Sequence, residues 1–364
     1  MPELVVLTEQ LLAPVPGGTG RYTRELVTAM AECAPTGWTI TGVTARHRDL
    51  SNAVIPGVDG PRALPLPRRA LTAAWERGVR LWPGGDAVHA PTPLAPPNAK
   101  RGLVVTVHDT VPFTHPETLT KRGAAWHQAM IRRAAERATA IVVPTAAVAA
   151  ELSEYAPGPA RVHVVGHGVP SFVARAPEDA DQIAERLKLP PRYVLAVGTV
   201  EPRKGLGVLV QAMALPDAPD LPLVIAGPSG WGDVHLGGLP ADRLRLLGYL
   251  SDAELAVVLR HATVLAAPSM AEGFGLPVLE AMAVGVPVVH SDAPALVEVA
   301  GGTGVQVSRN DPVALATALR DVLTDPGRTA TLVEAARARA AGFTWAKAAE
   351  SLWELHLELY HFVR

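Results

Sequence analysis

Glu272 and Glu280 bracket a glycine-containing turn in the run PSMAEGFGLPVLE, residues 268–280. A turn of this kind, opening a helix, is suited to phosphate and sugar. The first N–H groups of a helix have no partner within it, the helix dipole adds positive potential, and glycine lets a ligand approach the main chain. Pro277 fits the first turn, where a missing N–H costs nothing. A second run, VGTVEPRKG at residues 197–205, follows an apolar stretch and precedes a helix, so Arg203 and Lys204 stand where a diphosphate could be gripped. Arginine would do so through its planar fork and lysine as a point charge.

Three further places carry chemistry-bearing residues. In GGTGRY, residues 17–22, Gly18 and Gly20 lie just before a helix expected to start near Thr19. The run is not the dinucleotide fingerprint, because Thr23 stands where the third glycine belongs. It reads either as a loop cradling phosphate or acceptor or as a turn that merely starts a helix. His108 and Asp109 close the apolar run 102–107, and an imidazole and a carboxylate there can bind sugar hydroxyls or exchange protons. Gly248, Tyr249, Leu250 and Ser251 follow another apolar run, where a planar base could lie beside Tyr249 or Ser251 could simply cap the next helix.

Short apolar runs alternate with helical stretches, which predicts parallel sheets with helices on both faces. The first series of strands is expected at 4–7, 39–43, 87–89, 103–108, 140–143 and 162–165. The second is expected at 193–197, 221–225, 244–247, 264–266, 286–290 and 304–307. Residues 168–191, rich in proline and carrying Glu178, Asp179 and Asp181, read as an exposed connection. Asp179 and Asp181 have no other ligands spaced around them, so a solvated acidic stretch explains them better than a metal. Near the C-terminus, Ala348, Leu352, Leu355, Leu359 and Phe362 recur at helical spacing and demand a partner surface.

A chain of 364 residues exceeds the usual span of one core, so two domains are expected. With 48% hydrophobic residues, 19% charged and a net charge of -2, the composition is that of a soluble globular protein and argues against nucleic-acid binding. The one cysteine, Cys33, reads as a small apolar residue in a reducing setting. The sequence shows neither a basic leader nor an apolar run of membrane-spanning length, so a cytoplasmic protein is expected. Arg68, Arg69, Arg77, Arg80, Lys121, Arg122, Arg132 and Arg133 make the first half the more basic one and leave peripheral contact with the inner face of a membrane open.

In this order, these pieces resemble the retaining nucleotide-sugar glycosyltransferases of family 4, over almost the whole chain. The most specific element is Glu272 and Glu280 with GFGLP between them, preceded by the EPRK run. The resemblance implies the GT-B fold, an α/β architecture of two Rossmann-like βαβ domains facing across a cleft. Residues 1–175 would bind acceptor, 176–343 the nucleotide sugar, and 344–364 would form a helix crossing back to the N-terminal domain. By position, Arg203 and Lys204 would hold the donor diphosphate beside Gly198, and the N–H groups of Phe274, Gly275 and Leu276 would hold phosphate and sugar hydroxyls. Glu280 would take the ribose and Glu272 the transferred sugar. His108 would line the pocket by the anomeric carbon or the sugar's C6 hydroxyl, Tyr249 and Leu250 would flank the base, and Gly18 and Gly20 would close over the phosphates or admit the acceptor.

The chain departs from the family's usual pattern at His167-Gly168-Val169-Pro170 and at Gly205, the latter expected to alter only a helix cap. Two glutamates near a sugar also suit a retaining glycosidase, whose carboxyl groups lie about 5 Å apart. Glu280 assigned to the nucleotide leaves only Glu272 for the sugar, and a hydrolase needs no phosphate clamp. The resemblance therefore implies a hexosyltransferase that needs no metal and no cofactor. Its donor would be a nucleotide sugar, GDP-mannose leading and UDP-glucose or dTDP-rhamnose behind. The acceptor would be a glycan, a lipid-linked saccharide or a small molecule. A binding protein with the same cleft but no transfer is the remaining alternative.

Overall fold

The computed structural model describes residues 1–97, 102–232 and 234–362, the side chain of Phe362 lying outside the description. Two compact units emerge: Met1–Thr114 with Lys121–Gly168 and Thr344–Arg364, and His115–Thr120 with Val169–Phe343.

The first unit is built on seven parallel strands: β1 Glu3–Leu7, β2 Thr39–Thr44, β3 Asp59–Ala63, β4 Ala87–Ala90, β5 Gly102–Thr106, β6 Ala140–Val143 and β7 Arg161–Val164. Their order is β3-β2-β1-β4-β5-β6-β7. The second unit has six: β8 Val194–Val197, β9 Leu223–Ala226, β10 Leu244–Gly248, β11 Val264–Ala267, β12 Val288–Ser291 and β13 Val305–Val307, in the order β10-β9-β8-β11-β12-β13. All named pairings are parallel.

Alternation along a strand feeds both faces of each sheet. In β1, Leu4 and Val6 join one buried cluster while Val5 and Leu7 join the other. In β8, Leu195 faces one core and Val194 and Ala196 the opposite one. Strands buried on both faces must be apolar almost throughout, which is why their sequences read as short continuous runs.

β3 escaped the sequence reading. Its residues, Asp59-Gly60-Pro61-Arg62-Ala63, are largely exposed, and it pairs only with β2 at the sheet's edge. Proline and glycine are tolerated on an edge strand, so no apolar run marks it.

The stretch expected to be an exposed connection is more ordered than that. It contains the helices Ser171–Ala174 and Ala180–Arg186, which bury Val173 and Ile183. Among the described residues no cluster of His, Cys, Asp and Glu there or elsewhere could hold a metal ion.

The C-terminal helix, Trp345–Phe362, packs against the helix Gly17–Glu32 of the first unit. Ala348, Leu352, Leu355 and Leu359 are buried in the core they share with Leu26 and Met30. Trp353 Nε1 donates to the Met30 carbonyl at 2.9 Å. Each buried leucine stabilises this contact by about 1.5–3 kcal/mol. No described helix is long and apolar enough to cross a membrane.

Candidate functional site

An open parallel sheet binds ligands beyond the carboxyl ends of its strands, where the strand order reverses. In the second unit that point lies between β8 and β11, and the two loops leaving these strands carry the EPRK and EGFGLP runs. Lys204 Nζ donates to Glu272 Oε1 at 2.6 Å, and Arg203 Nη1 donates to Glu272 Oε2 at 3.0 Å. Ser269 Oγ adds a third bond to Glu272 at 2.8 Å. Arg203 is oriented from behind by Glu201, which accepts from Nε at 3.0 Å and from Nη2 at 2.7 Å.

This is a cluster of two cations and two carboxylates, all largely buried. Burial opposes ionisation of Glu272, but the charges of Lys204 and Arg203 and the bonds from Lys204 and Ser269 outweigh it and hold the carboxyl at about 2. A charge taken out of water persists only when paired and hydrogen-bonded, and these groups satisfy that condition among themselves.

Glycines set this geometry at two points. Gly198, with φ +149°, follows β8, and a Cβ there would press on the Lys204 stem at 3.1 Å. Gly205, with φ +65°, brings its loop so close to β11 that a Cβ would lie 2.2 Å from the Pro268 carbonyl oxygen. The expectation that Gly205 alters only a helix cap is therefore too small. In this backbone it is what lets the Lys204 loop lie against the loop carrying Glu272.

Gly275 precedes the helix Leu276–Val284, which has Pro277 in its first turn. Phe274 is buried in the core and Leu276 packs against it, so what those residues can offer a ligand is main chain. Glu280 is fully buried on the same helix. Tyr249 is 71% exposed just beyond β10, and the next residue, Leu250, packs against the core of this unit. Ser251 caps the helix Asp252–His261 in a capping box with Glu254, so the capping function foreseen for that turn is present.

In the first unit the reversal lies between β1 and β4. Gly18 and Gly20 are not loop residues, because the helix already begins at Gly17. Gly20 is there for packing: a Cβ would sit 2.3 Å from Pro16 Cβ. His108 Nε2 donates to the Pro91 carbonyl at 2.8 Å, leaving Nδ1 as the accepting nitrogen. Burial lowers its pKa, against smaller opposing effects of the Pro91 bond and Asp109, so the ring is neutral. Tyr22 meets it edge-on at 4.6 Å.

His108 and Asp109 line a cavity of about 450 Å³ that also reaches Glu9, Arg68 and Trp126. Part of the basic surface expected from sequence is spent inside this unit. Arg133 donates to the carbonyls of Trp75 and Glu76, Arg132 lies over the Phe113 ring, and Arg68 lies 3.6 Å from Glu9. Arg69, Lys121 and Arg122 remain exposed.

Sequence reasoning gave no function to Glu201 or Ser269. Glu201 stands two residues before Arg203 in an extended segment, and that proximity was the only available signal. Ser269 offered none, since its role depends on where β11 ends.

Residues 177–339 match the family model described as glycosyl transferases group 1, and residues 16–171 match glycosyltransferase family 4. The O-antigen chain mannosyltransferase B of Escherichia coli is 30% identical over 71% of this chain and 70% of its own length. The D-inositol 3-phosphate glycosyltransferase of Salinispora tropica is 36% identical over 57% of this chain, which spans only 48% of that relative. Among solved structures, a sucrose-phosphate synthase from Thermosynechococcus elongatus superposes with a TM-score of 0.75 at 23% identity, over 100% of both chains. Anabaena HepE, in complex with UDP and glucose, does so at 0.71 and 18%, over 98% of this chain and 99% of its own. Those two likenesses show the GT-B fold, while the family matches and the Escherichia coli relative establish that the chain belongs to glycosyltransferase family 4, a retaining family that transfers a sugar from a nucleotide sugar.

Proposed function

We propose that this protein transfers a hexose, mannose before glucose or rhamnose, from a nucleotide diphosphate sugar to a glycan hydroxyl, retaining the anomeric configuration. The observation that carries the reading is the convergence of Lys204 and Arg203 at the carboxyl ends of β8 and β11. Two cations at that point suit a leaving diphosphate, and preference for mannose rests on the name of the Escherichia coli relative.

The ion cluster suggests how the donor is received. Glu272 now occupies both cations. A diphosphate of higher charge takes its place, and the released carboxylate accepts hydroxyls of the sugar being transferred. Charge growing on the departing diphosphate is then met by Lys204, Arg203 and the main chain at Phe274, Gly275 and Leu276, an electrostatic contribution that needs no metal. Glu280 holds the ribose, while Tyr249 and Leu250 flank the base beyond Gly198 and β10. The acceptor attacks from the face the phosphate leaves, and the phosphate takes its proton. His108, neutral with Nδ1 free to accept, bonds a sugar hydroxyl rather than acting as an acid.

A thermal-shift panel of GDP, UDP, dTDP and ADP tests the donor. A nucleotide at 100 times its Kd stabilises by about 2.7 kcal/mol, and GDP should give the largest shift. A larger shift with UDP or dTDP moves the assignment to glucose or rhamnose. Tight nucleotide binding without release of nucleoside diphosphate in the presence of sugar donor and acceptor would instead mark a binding protein.

A further inference from the structure

The cavity of the first unit has walls whose charge bears on the acceptor. Among its described lining residues the ionisable side chains are Glu9, Arg68, Asp109 and two histidines, His108 and His127. Burial lowers the pKa of both imidazoles, so both are neutral near pH 7. Arg68 is the sole lining cation in that set, and its Nε already lies 3.6 Å from Glu9 Oε1. Glu9 is itself held by the Ala45 N–H at 2.8 Å and by His47 Nε2 at 2.9 Å. The formal balance of the described wall is thus two carboxylates against one guanidinium.

The rest of the wall is suited to an uncharged polyol. Thr19, Thr72 and Thr92 offer hydroxyls, while the partly exposed Trp126 offers indole surface to the C–H face of a sugar ring. A volume of about 450 Å³ falls within the range of small-molecule sites. A phosphomonoester would bring about two negative charges toward two carboxylates and a cation already neighboured by one of them. The contrast with the second unit is direct, since that unit presents two cations where a phosphate is expected.

We infer that this cavity receives the acceptor as an uncharged saccharide, and that Asp109 excludes phosphorylated acceptors such as D-inositol 3-phosphate. The inference rests on the transferase reading above and deepens it by naming the acceptor class.

The test is binding to the full chain, followed by ligand-observed NMR and calorimetry without donor, using a neutral disaccharide of mannose and D-inositol 3-phosphate as probes. The disaccharide should bind at least tenfold more tightly. Asp109→Asn retains an oxygen able to accept from the Val111 N–H, as Asp109 does at 3.2 Å, and should narrow that gap by about threefold or more. Thr72→Arg, which adds a cation to a half-buried wall position on the helix Arg68–Glu76, should do so by at least tenfold. Tighter binding of the phosphorylated probe by the unaltered chain overturns the inference, as does binding of neither probe or variants that leave the ratio unchanged. Slow hydrolysis of the nucleotide sugar, measured on the same samples, reads the donor chemistry separately: if it persists while the preference fails, only the acceptor assignment falls.

Discussion

The two units share one strand order about their central strands, yet the points where that order reverses are furnished oppositely. Between β8 and β11 stand Arg203 and Lys204, locked to Glu201 and Glu272. Near the carboxyl ends of β1 and β4 stand neutral imidazoles, threonines and aromatic rings. One backbone plan therefore serves two chemistries, and side chains on a few loops decide which. The second unit is arranged to meet developing charge, the first to meet hydroxyls and ring faces.

The sharpest way to break this contrast is Lys204→Ala. Losing one stabilising donor at a charge-developing centre costs about 2.7–4 kcal/mol, so kcat should fall by two orders of magnitude or more. A near-normal kcat would remove the second unit's claim to the chemistry.

Acid should separate the units next. His356 is held down to about 3 by burial, and burial likewise lowers His89, His108 and His167, all in the first unit. An unfolded histidine takes up its proton as pH falls through about 6.5, so the stability these neutral rings confer is complete above that value and declines below it. At pH 5 His356 alone accounts for about 2 kcal/mol. In the second unit Glu272 is lowered from 4.5 to about 2, so its contribution persists until pH falls below 4.5. His290, lowered by burial, is an imidazole there whose shift runs the same way as those of the first unit. Hydrogen exchange at pH 7 and pH 5 should show the first unit opening preferentially, and equal loss in both would contradict the assignment.

Within the second unit, Glu280→Ala should weaken nucleotide binding about tenfold with little change in kcat, whereas Glu272→Ala should slow transfer without weakening nucleotide binding. These follow from a ribose contact worth about 1.4 kcal/mol against a sugar contact strengthened in the transition state. Parallel calorimetry and turnover on both variants checks the division, and identical behaviour would end it. The smallest effect is expected of Tyr249→Ala. At 71% exposure the ring has little packing to lose, so a change in nucleotide Kd beyond about threefold would show that it stacks on the base.

Much of the fold was legible because strands buried on both faces, such as β1, β4, β5, β6 and β9, must be apolar and so stand out as short continuous runs. β3 did not, since an edge position accepts Gly60 and Pro61 and needs no apolar run. At the site, Arg203, Lys204 and Glu272 were legible because they lie within turns that open helices. Their mutual pairing was not, since it depends on Gly205 bringing together two loops that lie far apart in sequence, one ending at Gly205 and the other starting at Pro268. For Gly18 and Gly20 the sequence left a loop and a helix-starting turn open; the structure puts both in the first turn of the helix Gly17–Glu32, and only the Pro16 contact shows how closely Gly20 packs there.

The helix Trp345–Phe362 has one more consequence. It completes the core of the first unit, yet it is synthesised after all of Val169–Phe343. During translation the second unit can therefore finish folding while the first still lacks the helix that covers Leu26 and Met30. Chains usually fold from the N-terminus as they emerge from the ribosome, and here the order is inverted for the earlier of the two units. A nascent chain arrested after Phe343 should be protease-resistant in its later half and vulnerable in its earlier one.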